Sequence, residues 1–439
     1  MIGRVTRFMK LGFAIASSIA GLLAIAPVAR GQYVSGQPGS HEIRFRPFAI
    51  SFGTTSGYDS EASVFTKSQA GAQSSFYAGF NASAALNYIF ADSFLGARMS
   101  TGYTYYFTRT VQPYDTTINI NSTFQHTFSP RWNMSISDSF VVDNEQQIGV
   151  NSELPGTAQQ FNRQGEYYVN NFSLNNGFLL APRLNLNLGL SYGLTRYRNT
   201  QAANSQDRDE YGVNLGPSYQ LTSATSVGFS LSYSHSQHPG PTKIFAPSPP
   251  APPHDLVDRV NRNSSQEGFS VNLNHTFSSR LSTSLSLGVT VTSFQDGHVT
   301  GESINPSVSA AATYVLDPSS TLALGYIHSI SESQIPNFTA TIQDTASISL
   351  TRRFTPKIAF NVNVSYSRNE FDQQFNASTA ASVQANGNEE AISGSISTGY
   401  NFTNNLGLDL GYSYTKVLSD FNGRGFDRDR ATLNLRFTF

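Results

Sequence analysis

Cysteine is absent from the 439 residues, which excludes disulfides, zinc–thiolate centres and thiol nucleophiles. Lysine is nearly absent: Lys10, Lys67, Lys243, Lys357 and Lys416 are the whole complement. Charge of either sign is scarce. Asp, Glu, Lys and Arg make up 13% of the chain, against about 25% in ordinary soluble domains. The 28 basic and 29 acidic residues leave a net charge of −1, so no basic field draws nucleic acid. Long apolar runs are missing beyond the first thirty residues, and mean hydropathy is −0.26. The Ala-, Glu-, Lys- and Leu-rich composition of a helical bundle is missing too. Gly, Ser, Asn, Thr and a 12% share of aromatics fill the chain instead, and so many aromatics argue against disorder.

Arg4, Arg7 and Lys10 precede an apolar run, Leu11 to Ala26, and Ala29-Arg30-Gly31 follows with small residues flanking an arginine. This order of charge, apolar stretch and small-residue site marks a secretory signal peptide. The run is shorter than the ~20 apolar residues a spanning helix needs, and Pro27 breaks it. We assign residues 1–31 to the signal peptide, 32–43 to a short periplasmic segment and 44–439 to a single folded unit.

That unit alternates from end to end. Leu184, Leu186, Leu188, Leu190, Tyr192 and Leu194 share one parity, and Asn185, Asn187, Gly189, Ser191 and Gly193 the other. Successive strand side chains point to opposite faces, so the segment has one oily and one small polar face. The pattern recurs with Leu285, Leu287 and Val289 against Ser286, Gly288 and Thr290. It recurs with Phe360, Val362 and Val364 against Asn361, Asn363 and Ser365, and with Leu408, Leu410 and Tyr412 against Asp409, Gly411 and Ser413. The chain ends on Leu433, Leu435, Phe437 and Phe439, interleaved with Asn434, Arg436 and Thr438.

Short Pro-, Asp-, Asn- and Ser-rich turns recur at 91–93, 129–131, 181–183, 222–224, 278–280, 317–320, 355–357 and 403–405, separated by longer polar segments such as 56–72, 146–163, 238–264, 371–388 and 419–427. These hairpins, with one strand before them (about 44–55) and one after (428–439), predict about 18 strands (16–18). The implied fold is all-β: a single transmembrane antiparallel up-and-down barrel with short periplasmic turns and long extracellular loops. A soluble sandwich would alternate as well. It would carry Lys and Glu on its wet face and would protect its edges, and neither sign is present.

The terminal segment Leu433-Asn434-Leu435-Arg436-Phe437-Thr438-Phe439 resembles the C-terminal signature of bacterial outer-membrane barrels, with Leu435, Phe437 and Phe439 as its apolar positions. The whole mature chain resembles the porin and outer-membrane β-barrel families in architecture. The resemblance implies a Gram-negative-type outer membrane as the destination, outer-membrane lipid as the surroundings and the barrel-assembly machinery as the partner during insertion. A homotrimer is a further partner state known among porins.

Barrels of this size leave an aqueous channel unless something fills it, and Gln32 to about Ile43 leaves no room for a plug domain. The sequence therefore predicts passive diffusion of small neutral polar solutes. The expected pore lining is Asn185, Asn187, Ser191, Ser286, Thr290, Asn361, Asn363, Ser365, Asp409 and Arg436. If Leu406 faces Phe439 in the last two strands, Asp409 meets Arg436. A surface or structural barrel (an adhesin, or a polysaccharide-export barrel) is the first alternative, and an outer-membrane lipid hydrolase the second. The proline-rich stretch Pro239 to Pro253 reads as a stiff solvated loop, with an inward constriction or the display of a ligand outside as the functional alternatives.

Enzyme chemistry finds little support. The eight histidines stand in no HExxH or other ligand spacing, and serine is too abundant to signal a triad. Asp420-Phe421-Asn422-Gly423 lacks the remaining ligands of a calcium loop and reads as a turn. No catalytic residue, metal or cofactor is predicted. Three positions fit the alternation poorly. Asp138 has the parity of Trp132, Met134 and Ile136, Asp344 that of Ile342 and Ile348, and His275 that of Val271 and Leu273. A β-bulge that flips the phase, or a site at the membrane interface, would accommodate them.

Overall fold

The computed structural model describes residues 47–62, 73–109, 112–144, 166–198, 207–239, 242–243, 259–260, 263–294, 302–333, 338–374, 387–421 and 424–439. The assigned signal peptide, the short segment after it and most of Pro239 to Pro253 lie outside the described residues. In chain order the strands are β1 (Phe48–Asp59), β2 (Ser75–Ile89), β3 (Ser93–Tyr106), β4 (Tyr114–Ser129), β5 (Trp132–Asp143), β6 (Tyr167–Ala181), β7 (Leu184–Tyr197), β8 (Arg208–Gln220) and β9 (Thr225–Gln237). The two-residue β10 (Thr242–Lys243) and β11 (Arg259–Val260) follow. The rest are β12 (Ser264–Thr276), β13 (Leu281–Phe294), β14 (Glu302–Asp317), β15 (Ser320–Glu332), β16 (Phe338–Thr355), β17 (Ile358–Gln374), β18 (Gly387–Asn401), β19 (Leu406–Ser419) and β20 (Phe426–Thr438).

Eighteen of these form one ring. Each pairs antiparallel with its neighbours, β9 with β12 across the β10–β11 hairpin, and β20 returns to pair with β1. The expected barrel is present at the upper end of the expected strand number. The first strand lies a few residues later than its expected range, at Phe48–Asp59.

The short turns are built from side chains the sequence supplies there. Thr355 Oγ1 accepts from the Lys357 and Ile358 amides at 3.2 and 3.1 Å, Thr403 Oγ1 from Asn405 and Leu406 at 3.2 and 3.1 Å, and Asp317 Oδ1 from the Ser319 amide at 2.7 Å. Such groups satisfy amides that have no ladder partner. Register shifts occur at Thr127/Ser129, Leu179/Ala181, Val315/Asp317 and Arg353/Thr355, all beside short turns, so the alternation never slips within the spans.

The register offsets, followed once round the ring, displace the starting point by 22 residues along β1. With strands ~4.8 Å apart and ~3.3 Å per residue, that stagger requires a tilt of about 40° and a backbone radius of about 17 to 18 Å.

The curvature decides which face is which. On a concave wall neighbouring side chains converge, and on a convex wall they diverge. A Cβ added at Gly57 would stand 2.0 Å from the Ala431 carbonyl oxygen and 2.4 Å from the Tyr77 hydroxyl, and one at Gly79 2.3 Å from the Tyr103 carbonyl oxygen. Gly53, Gly102, Gly189 and Gly212 are similarly crowded, and all share the parity of the polar residues. Gly394 shares the parity of Ile392 and Ile396, and a Cβ there meets nothing within 4 Å. The polar face is therefore the inside. The outer face exposes Leu188, Leu190, Leu215, Leu231, Val271, Leu287 and Val364, the arrangement of a membrane barrel. Aromatic rings ring it at both ends: Phe128, Trp132, Phe277, Phe354 and Phe402 near the short turns, Tyr211, Tyr233, Tyr326 and Tyr412 toward the long connections.

The three awkward positions resolve differently. Asp344 is nearer the long-connection end of its strand, where the Tyr326 hydroxyl and His328 Nδ1 each lie 2.8 Å from it. His275 is one residue from the end of β12 and 2.9 Å from Thr225 Oγ1. Both are interfacial. Asp138 fits neither accommodation: the β4–β5 register is unbroken around it, and it sits mid-strand on the convex face.

The two faces predict opposite responses to one added methyl. Gly57→Ala costs about 1–3 kcal/mol through overpacking, and Gly394→Ala stays within about 0.5 kcal/mol of the parent. Urea unfolding from lipid vesicles measures both, and equal losses would refute the assignment of faces.

Candidate pore wall and outer mouth

All ten expected lining residues lie on the concave face. Asn185, Asn187 and Ser191 project from β7, where Ser191 Oγ would stand 2.3 Å from a Cβ at Gly212. Ser286 lies between Asn272 and Ser309, and Thr290 between Gly268 and Asn305. On β17, Asn361, Asn363 and Ser365 face Ser397, Ser395 and Ser393, and the hydroxyls of Ser365 and Ser393 are 2.8 Å apart. These groups occupy separate sectors of the ring, so they make a wall and not a single constellation.

Asp409 and Arg436 are brought together, though not in the expected register. Leu406 pairs with Phe437, so Asp409 faces Asn434 and Arg436 faces Gly407. The two-residue correction has a physical cause. The β19–β20 pair is joined at the long-connection end, so no tight turn fixes its register, and Phe439 runs past β19 to exchange backbone hydrogen bonds with Ile50 of β1 at 2.8 and 3.3 Å. An even shift preserves the face, and Arg436 Nε remains 3.9 Å diagonally from Asp409 Oδ2. The pair belongs to a polar chain across four strands: Arg436 Nη2 donates to Asn401 Oδ1 at 3.3 Å, Asn434 Nδ2 to Asp409 at 3.4 Å and Asn81 Nδ2 to Asn434 at 3.3 Å.

Arg98, which the sequence reading passed over, also projects inward, with the parity of Gly96, Ser100 and Gly102, beside Asn121 and Ala85. It makes no ion pair among the described residues. Its parity was the signal that could have found it.

The long-connection end of the lumen is built differently. Asp59, fully buried at the end of β1, receives Arg428 of β20, whose Nε donates at 2.9 Å and whose Nη2 completes a bidentate pair. Arg430 lies over the Tyr77 ring at 4.9 Å, and the Tyr77 hydroxyl is 2.7 Å from Thr432 Oγ1. Tyr77 packs on Tyr106 at 5.5 Å, and both close over Ala62. Arg109, beyond β3, stacks on Tyr106 at 4.2 Å and donates to Asp115 Oδ2 at 3.1 Å. It also donates to the Gln112 carbonyl at 2.6 Å, and Gln112 holds a left-handed φ of 51°. Further round, Glu389 is 1% exposed and is gripped by Arg424, with Nη2 to Oε2 at 3.1 Å, while Phe421 packs edge-on against Phe371 at 5.3 Å.

These contacts close over the sector β17–β20 and β1–β4; on the opposite side β8 starts at the inward ion pair Arg208–Glu210, with Nε and Oε1 3.1 Å apart, above a neutral mid-wall of β7–β9 and β12–β13. The pairs that join separate strands, such as Asp59 with Arg428 and Glu389 with Arg424, were not legible from local pattern, whereas Arg109 meets Tyr106, Gln112 and Asp115 within six residues of itself.

Residues 253–439, which hold nine of the eighteen barrel strands, match the family described as "Putative beta-barrel porin 2". Among solved structures, the outer membrane protein OpdK of Pseudomonas aeruginosa shares 13% identity at a TM-score of 0.44, covering 89% of this chain and 98% of its own. A BenF-like porin of Pseudomonas fluorescens Pf-5 shares 11% at 0.46, covering 90% and 98%. The FrpB iron transporter of Neisseria meningitidis shares 13% at 0.47, covering 85% and 62%. No curated protein matches the sequence. With a closed eighteen-stranded ring, an apolar outer face banded by aromatics and half its strands inside a porin family model, the chain is a porin-like outer-membrane β-barrel.

Proposed function

We propose that the protein is a passive diffusion channel of the bacterial outer membrane for small polar solutes, most of them uncharged. The observation that carries this reading is the continuous concave wall of amides and hydroxyls around a ring of about 17 to 18 Å backbone radius. Selectivity by charge needs rings of like charge, and among the described residues the mid-wall offers only Arg98, Arg436 and Asp409 among long neutral stretches. The reading includes export with removal of residues 1–31, and recognition of Leu435, Phe437 and Phe439 by the assembly machinery. It also includes homo-oligomers, the trimer foremost.

The hydrolase alternative finds weaker support. The histidines within the barrel strands (His126, His235, His275 and His328) carry the convex parity. His328 has the carboxylate half of a triad in Asp344, but its other paired position is Val308, and Tyr326 and Ile330 flank it on that face. Among the described residues, no serine hydroxyl stands beside it on that face. An adhesin would keep its binding and lose nothing on blocking the lumen, which separates it from a channel.

Two experiments test the reading. Purified protein in planar bilayers should give discrete conductance steps with weak ion selectivity, and Arg98→Glu should move the reversal potential toward cations without loss of folded barrel. Absence of steps would refute the channel. At the mouth, Arg428→Ala leaves the Asp59 carboxylate buried without its partner, a change worth about 3–5 kcal/mol, and Asp59→Asn in the same chain should restore much of it. Urea midpoints of the single and double variants measure this, and simple additivity would show that the pair does not act as a unit.

A further inference from the structure

Over most of its circumference the convex face is Leu, Val, Phe and Tyr. One sector departs from this. Asp138 stands six residues from Trp132 at one end of β5 and five from Asp143 at the other. Its paired positions are Ser122 on β4 and Phe172 on β6, and both registers run through without a shift there. The carboxylate therefore points the same way as Ile136 and Phe140, at mid-height of the outer wall. Asn170, also convex, donates from Nδ2 to Asp138 Oδ1 at 2.9 Å.

Toward β2 the ground flattens to Ala82, Ala84 and Ala97, with Thr101 beside Ala82. Phe80 and Met99 stand on it, 57% and 49% exposed.

Acyl chains offer a carboxylate no hydrogen-bond donor, and an ionisable group facing them is costly. A second protein wall supplies donors. Copies packed side by side about an axis along the membrane normal keep their heights, so whatever meets Asp138 lies at its own level. Among the described residues, and apart from Thr398 on β18, the convex serine and threonine hydroxyls nearest that level are Thr54, Thr101 and Ser122, on β1, β3 and β4, while the Tyr326 hydroxyl is taken by Asp344. The same sector thus holds acceptor and donors, exposed large side chains and small-residue ground, as a surface that packs against itself requires.

We propose that the convex face of β2–β6 is the surface through which copies of this chain associate within the membrane, with the Asp138 carboxylate accepting a hydrogen bond from Thr101 or Ser122 of the partner subunit. This deepens the oligomer named above, and it stands whether or not the barrel conducts.

The full chain in lipid nanodiscs, sized by light scattering, should be oligomeric. Asp138→Leu should be monomeric while keeping the heat-modifiable migration of a folded barrel, and Asp138→Asn should remain assembled. Because the chain has no cysteine, Ser122→Cys with a bis-maleimide should give covalent oligomers, and Leu287→Cys, on the opposite wall, should not. Trp132, the single tryptophan, lies at the foot of this face. Brominated lipid should quench it several-fold more in Asp138→Leu than in the parent. A monomeric parent would overturn the proposal. So would an Asp138→Leu protein that assembles unchanged, equal cross-linking at the two cysteines, or a different protein co-purifying on this face.

Discussion

Hydrocarbon offers a backbone amide no hydrogen-bonding partner, so a sheet in a membrane must have no edge. Everything in this molecule depends on β1 meeting β20. That seam is fastened at both ends. At the short-turn end Phe439 exchanges backbone hydrogen bonds with Ile50, and Asn405 brackets the last strand through its carbonyl to the Thr438 amide and its Nδ2 to the Thr438 carbonyl. At the other end Asp59 and Arg428 form a buried ion pair across the same two strands. A buried pair contributes little net stability against an apolar pair, but losing one member leaves a charge without compensation. Its value here is positional: it selects one register for the two strands that no turn connects.

That distinction explains what was legible from the residues alone. Parity is a local property, and Leu184 to Leu194 displays both faces without reference to any other strand. Eight tight turns then fix the registers of eight hairpins, and Thr355, Thr403 and Asp317 mark them by chemistry that acts over two or three residues. The fold class, the approximate strand number and the inward side of Asn185, Ser286 and Asn363 all follow from such local facts.

The register of β19 on β20 did not follow, because it is set from outside the pair, by Phe439 reaching β1. The mouth was hidden for the same reason. Arg428 is an ordinary polar residue in sequence until Asp59 is placed beside it, and Arg424, Phe421 and Glu389 acquire their roles only when β17 to β20 lie together. Arg98 is a different kind of omission, since its parity with Gly96 and Ser100 was visible and its inward placement required nothing more.

Asp138 shows how an exception to a local rule carries information that the rule cannot. Had a bulge reversed its phase, it would have joined the wet wall, and had it lain near a strand end, headgroups and water would have received it, as they can Asp344. The unbroken register removes the first course and its mid-strand position the second. What remains is a carboxylate held outward by a ladder too regular to turn it, on a sector where alanine replaces leucine. Asp138 keeps one donor from its own chain, Asn170 at 2.9 Å, but its carboxylate still stands on the apolar face at mid-height, and a neighbouring protein wall changes those surroundings without altering a single register of the ring.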